Sequence, residues 1–251
     1  MSKHLEFIKK PITDIIDEAI SSCSGINDGI ETFPLGDYVM HSLFLKMTGF
    51  QEQKMKCIAW DMATEDFEYR RKLLYGSNYG EYSDYKSKKD IYSNLIKLIQ
   101  KLDKGLNIQG AYRTQLLKES ENFVTETFKG TVLSRMKQKE FDFFCNFIKT
   151  PNNKLFDIKQ ICPDDKNIGA FNHIFQSELR DFYTDSLYKQ RNRLAHNTLS
   201  YQNNLPTLNL LLEENYDQDN YFVWFTVLII IDKIFIDLFS TYLDLLDSAV
   251  Y

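Results

Sequence analysis

Apolar residues recur at three- and four-residue spacing along most of the chain and almost nowhere in strict alternation, the signature of helices rather than strands. Ile12, Ile15, Ile16 and Ile20 mark a short amphipathic helix that ends in the polar run SSCSGINDG. Met40, Leu43, Phe44, Met47, Phe50, Ile58 and Met62 then predict one long helix, N-capped by Asp37 just after Pro34 and Gly36 and running toward Arg71. Gly49 interrupts that helix, as a site where another helix packs closely. The polar, tyrosine-rich stretch YGSNYGEYSDYKSKKD separates it from a helix over 91–102 that closes at Gly105. Leu116, Leu117, Phe123, Val124, Phe128 and Val132 predict a further helix reaching about residue 148, with a break at Gly130.

The clearest interior loop is TPNNKLFDIKQICPDDKNIG, which holds Pro151 and Pro163. Beyond it Phe171, Ile174, Phe175, Leu179, Phe182 and Leu187 mark a strongly amphipathic helix that runs directly into KQRNRLAHNT. A polar connection with Asn203, Asn204 and Pro206 leads to a final helix from Tyr221 to Leu246. No internal repeat, low-complexity tract or convincing strand interrupts the series. The expected architecture is all-α, most simply an antiparallel bundle in one domain. Residues 1–36 form an N-terminal extension, 37–148 the first helical part, 149–170 the loop, and 171–251 the C-terminal helices.

From Phe222 to Ile231 the final helix has almost no polar face, so it belongs in a core or at a subunit interface. With 19 Phe and 15 Tyr in the chain, an obligate homodimer is the expectation; a central helix in a monomeric bundle is the other possibility. The apolar run is too short to span a bilayer and is followed by Asp232, Lys233 and Asp237, which excludes a membrane helix. The first twenty residues have scattered charges and no signal-peptide core, so a cytoplasmic location is expected. Cys23, Cys57, Cys145 and Cys162 form no CxxC pair and lie far from histidines at ligand spacing. They read as reduced, buried thiols rather than a metal site or disulfides.

The net charge of −5 argues against a globally basic nucleic-acid binder. It is also uneven: residues 1–150 carry 22 basic and 21 acidic side chains, whereas 151–251 carry 8 and 14. Three of those eight, Lys189, Arg191 and Arg193, fall within five positions, a cluster suited to an anion. No dinucleotide fingerprint, P-loop, zincin helix or nucleophile elbow occurs, and no cofactor is expected. The remaining candidate chemistry lies in Gln190-Arg191-Asn192-Arg193-Leu194-Ala195-His196-Asn197.

Arg191, Asn192 and His196, placed between two helices, resemble the R-x4-6-H motif of the HEPN superfamily, helical-bundle proteins in which a polar residue often follows the arginine. The motif covers six residues, and the resemblance extends as a helical pattern over roughly 37–246. It implies a HEPN-like topology and a metal-independent endoribonuclease that acts as a dimer and leaves a 2′,3′-cyclic phosphate. Arg191, Asn192 and His196 would be catalytic, with Lys189, Arg193 and Asn197 binding substrate. It also implies a toxin-like effector of a defence or toxin–antitoxin system, restrained by a partner protein. One feature departs from the members whose antitoxin modifies a tyrosine two residues after the histidine: that position is Thr198, and the nearest tyrosine is Tyr201.

The chemistry stands apart from the name. A histidine, with its ordinary pKa of about 6.5, serves as base or acid, and an arginine fork grips a phosphate. Attack by the 2′-hydroxyl would make such an enzyme blind to DNA. Five residues on a helix turn through about 140°, so Arg191 and His196 share no face of a straight helix. Either the chain turns between them, or two copies assemble the site. A plainer reading is also open: Arg191 as a helix C-terminal cation, Asn192 or Asn197 in a turn, and His196 on the surface. That leaves a non-catalytic interaction module, docking through the final helix, as the alternative function.

Tyr69-Arg70-Arg71-Lys72 and Lys86-Ser87-Lys88-Lys89 form solvated basic segments in this reading, with an RNA-guiding role as the alternative. Glu52, Asp61 and Asp185 are the carboxylates available to orient His196. His4, His41 and His173 lack catalytic company.

Overall fold

The computed structural model describes residues 4–27, 29–75, 82–105, 108, 110–151, 153–163, 173–196 and 220–249. Among these the chain is all-α: α1 (Leu5–Lys9), α2 (Thr13–Cys23), α3 (Phe33–Glu65), α4 (Phe67–Tyr75), α5 (Tyr85–Leu102), α6 (Gly110–Phe128), α7 (Val132–Met136), α8 (Gln138–Phe147), α9 (Ser177–Phe182), α10 (Lys189–His196) and α11 (Tyr221–Ala249). A π-helical turn, Tyr183–Tyr188, joins α9 to α10 without a break.

The long helix α3 starts four residues before the expected cap. Pro34 occupies its first turn, where the missing amide donor costs nothing, and Asp37 lies inside it, paired with Lys137 at 2.5 Å. Gly49 does not interrupt the helix: a methyl group there would meet nothing within 4 Å. Gly36 makes the close approach instead, since its Cβ would lie 2.4 Å from Met136 Sδ of α7. The helix also ends earlier than expected. Asp66 leaves the helical conformation and its carboxylate caps the amide of Tyr69 at 2.6 Å, starting α4. Arg70 reaches back to the carbonyl oxygens of Ala63 and Thr64, satisfying the open end of α3.

The tyrosine-rich segment is helical from Tyr85 onward, because Asp84 accepts the Ser87 amide at 2.7 Å and caps α5. The predicted break at Gly130 is present: its φ of +72° is a conformation glycine tolerates, and Thr131 then caps α7 through the Ser134 amide. A second break, at Lys137, divides the remainder into α7 and α8.

Ile174 and Phe175 precede α9 in an extended turn rather than lying in a helix. The Cys162 amide donates to Ile174 O at 2.7 Å and the Gln176 amide to Gln160 O at 2.8 Å, forming an isolated antiparallel bridge. Tyr85 clamps it through its hydroxyl, which accepts from the Phe175 amide and donates to the Phe175 carbonyl. These long-range bonds satisfy backbone groups that a helix would have paired locally. Phe171 lies outside the described residues.

Helix α11 is the axis of the core. Phe222, Val223, Phe225 and Val227 through Ile231 are each fully buried, enclosed by α3, α5, α6 and α8 of the same chain. Phe222 packs edge-on to Phe128 and Phe141, and Phe225 stacks on Phe128. The apolar run Phe222–Ile231, which suggested a subunit interface, is therefore covered within one chain. No helix among the described residues is long and apolar enough to cross a membrane. All four cysteines are free, with Cys23, Cys57 and Cys162 buried and Cys145 half-buried.

The N-terminal helices join this core through charge as well as apolar contact. Lys54 of α3 and Asp232 of α11 are fully buried and paired at 2.5 Å. Lys54 also donates to Lys10 O at 2.7 Å, and Asp232 accepts the Ile12 amide at 2.9 Å. Burial pushes the Lys54 pKa down and the Asp232 pKa up, and each partner's charge opposes that shift.

Candidate functional site

The RNRLAH segment forms α10, and the π-helical turn before it is pinned from two sides. Tyr183 donates its hydroxyl to Ser83 O at 2.9 Å, and Trp224 of α11 donates its indole N–H to Ser186 Oγ at 2.8 Å. Such a turn holds one extra residue and re-aims every side chain after it, which is why π-turns accumulate at functional positions. Leu194 then buries α10 against α3, leaving its other side to solvent.

Arg191 lies beside that buried seam. One guanidinium nitrogen donates to Asn192 Oδ1 at 3.0 Å, and another lies 3.5 Å from Glu52 Oε2 of α3. Glu52 also holds Lys56 at 2.9 Å, so it is shared between two cations. Arginine has five N–H donors, and among the described residues these contacts leave part of the fork uncommitted. The Arg191 side chain is 22% exposed, enough to reach a ligand while its stem stays fixed.

Beneath this group lies Lys88 of α5, almost fully buried. Its ammonium donates to Tyr82 O at 2.6 Å and Ser83 O at 3.2 Å and stands 5.8 Å from the centre of the Tyr183 ring. Burial pulls its pKa down to about 7; Glu52 and Asp84 resist that shift, and Arg191 adds to it. Lys88 thus ties the 82–84 segment, the π-turn and the Arg191 environment together.

The helix separates the predicted residues into two groups. It stays continuous from Lys189 to His196, so the chain does not turn between Arg191 and His196, and the about 140° between them persists. His196 is exposed at the helix end, on the same side as Lys189 and Arg193, which precede it by seven and three residues. Lys189 is held by Asp185 at 2.7 Å, whereas Arg193 is half-buried and has no ion pair among the described residues. Asn197, Thr198, Tyr201 and the connection through Pro206 lie outside the described residues.

Among the described residues none of the three candidate carboxylates is paired with His196. Glu52 takes Arg191, Asp61 contacts His4 at 2.9 Å, and Asp185 takes Lys189. Lys88 is no solvated basic residue. Its signal was in the sequence, because position 88 falls three and four residues before Ile91 and Tyr92, on the buried face of α5. Tyr69 is buried as well, and Arg70 serves the end of α3.

Scanned against protein-family models, curated proteins and solved structures, the chain matches none of them.

Proposed function

We propose that the protein is a metal-independent endoribonuclease of the HEPN type, with a HEPN-like helical topology, working as a homodimer. The observation that supports this reading best is Arg191, fixed by Glu52 and Asn192 and with donors to spare among the described residues, on the same short helix as the exposed His196. With Arg191 and His196 offset by about 140°, this reading builds the site from two copies. Paired α10 helices would supply two histidines and two arginines to one cleft, and a single chain supplies too few groups for acid and base.

In this mechanism one His196 removes the proton of the RNA 2′-hydroxyl, whose oxygen attacks the adjacent phosphorus. The bond to the 5′-oxygen breaks, and the partner's His196 protonates that leaving oxygen. The products are a 2′,3′-cyclic phosphate and a 5′-hydroxyl. Arg191 stabilises the charge on the phosphoryl oxygens, Asn192 keeps Arg191 aimed, and Lys189, Arg193 and Asn197 hold the flanking strand. The biological setting proposed is a toxin-like effector of antiphage defence or a toxin–antitoxin pair, restrained by a partner protein.

The test is degradation of single-stranded RNA by wild type, Arg191→Ala and His196→Ala, each with and without EDTA. Wild type is expected to cleave in EDTA, and both variants to lose cleavage. Cleavage that survives both substitutions, or that chelation abolishes, rejects the mechanism.

A further inference from the structure

Among the described residues two lysines are sealed in the fold, and Lys88 lacks what Lys54 has. Lys54 is matched by the Asp232 carboxylate, whereas the Lys88 ammonium donates only to main-chain carbonyls, Tyr82 O at 2.6 Å and Ser83 O at 3.2 Å. The charged groups facing it are Glu52 of α3 and Asp84 ahead of α5, which favour the ammonium, and Arg191 of α10, which opposes it. The π-turn presents the Tyr183 ring, whose centre is 5.8 Å away. A buried cation beside a second cation is a poor way to fasten a fold, since an apolar side chain of similar size would avoid both costs.

What the ammonium does supply is a fixed point for the π-turn. Ser83 O accepts from both Lys88 and the Tyr183 hydroxyl, so one carbonyl joins α5 to the first residue of the turn. The second fastening is Ser186 to Trp224 of α11. Two points fix the direction of the turn; with one, it pivots about the other. Arg191, eight residues and roughly 10–12 Å along the helix from Tyr183, moves with it. The contacts of Arg191 itself do not set that direction: Asn192 rides on the same helix, and Glu52 stands 3.5 Å away and is shared with Lys56.

We propose that Lys88 is a positioning residue for Arg191: by gripping Tyr82 O and Ser83 O, its ammonium sets the anchor of the π-turn and thereby the place of the Arg191 fork. That the fork then meets an RNA phosphate rests on the ribonuclease reading above; the linkage from Lys88 to Arg191 does not. Burial first, and Arg191 after it, bring the Lys88 pKa down to about 7, so the ammonium is lost close to neutral pH. The neutral amine holds the two carbonyls without charge assistance and no longer repels Arg191. Loss of the proton is therefore felt at α10 as a change of position.

The test follows two NMR signals of the full chain from about pH 5.5 to about pH 9. The Trp224 indole N–H reports the π-turn through Ser186, and the guanidinium carbon of Arg191 reports the fork. In wild type both should move in one step with its midpoint at about 7. His196→Ala should keep the step, and Lys88→Met should abolish it. Tyr183→Phe keeps the ring and removes only the hydroxyl link to Ser83, so it decides the matter even where Lys88→Met does not fold; it too should lose the step. Lys88→Met should also lower kcat for RNA about tenfold or more, with KM changed less than about twofold.

A lysine with a merely structural role would displace both signals in Lys88→Met and leave wild type without a step, and that result overturns the proposal. So does a step that survives in Lys88→Met or Tyr183→Phe, one that disappears in His196→Ala, or a Lys88→Met protein with wild-type kcat. The two readings fail separately. RNA cleavage without the step rejects the positioning role alone, whereas a Lys88-dependent step without cleavage by wild type rejects the ribonuclease alone.

Discussion

Glu52 and Lys54 stand two residues apart on α3, and each meets a charge contributed by the C-terminal helices, yet the two pairs differ in kind. Lys54 and Asp232 are sealed in the core, where the pair also binds the Lys10 carbonyl and the Ile12 amide. Glu52 and Arg191 are 18% and 22% exposed and separated by 3.5 Å, and among the described residues the arginine retains uncommitted donors. A charge whose hydrogen-bonding capacity is consumed inside the fold fastens the fold. One that is held in place but only partly consumed, at the solvent boundary, is equipped to bind something else.

The sharpest way to break this contrast is to remove one member of the buried pair. Asp232→Ala leaves a buried ammonium without its counterion and should cost about 3–5 kcal/mol in urea unfolding. Replacing both members, Lys54→Met with Asp232→Leu, should recover most of that loss. Near-wild-type stability of Asp232→Ala would show that the core does not depend on the pair.

At the other pair the expected loss is chemical. Arg191→Ala should lower RNA cleavage by about 10²–10³-fold, the scale for removing one donor to a developing charge. Its unfolding free energy should fall by no more than about 1 kcal/mol, as for other partly exposed ion pairs. A large loss of stability together with activity would make Arg191 a second structural charge.

Lys88 lies between the two cases, buried like Lys54 but adjacent to Arg191. Its pKa is about 7 in the folded chain against its ordinary 10.5, so between those values the unfolded chain binds more protons. Its contribution therefore makes stability rise with pH from about 7 to 10.5, with the full penalty for the buried ammonium present below 7. Lys88→Met should flatten that slope when melting is followed across this range; an unchanged slope contradicts the assignment. The smallest effect is expected at Glu52→Gln, which should shift stability by less than about 1 kcal/mol and reduce cleavage less than Arg191→Ala.

What the sequence disclosed follows from how far each signal reaches. The apolar run at Phe222–Ile231 announced a buried helix, and Gly130 a break, because both depend on residues close in the chain. Which surface covers α11 was not legible, since α3, α5, α6 and α8 approach it from distant parts of the sequence. The π-turn was hidden for the same reason: its fastenings, Tyr183 to Ser83 and Ser186 to Trp224, are long-range. At the site, spacing alone gave the separation of Arg191 from His196, whereas choosing Glu52 as the partner of Arg191 required the packing of α10 on α3.

If α10 cleaves RNA by attack of the RNA 2′-hydroxyl, as proposed, the chemistry of the new ends tests it most directly. A labelled oligoribonucleotide treated with wild-type protein should yield fragments ending in a 2′,3′-cyclic phosphate, and the same oligonucleotide with a 2′-deoxy residue at the cleavage position should remain intact there. Fragments ending in a 3′-hydroxyl, or cleavage at the deoxy position, would contradict the account.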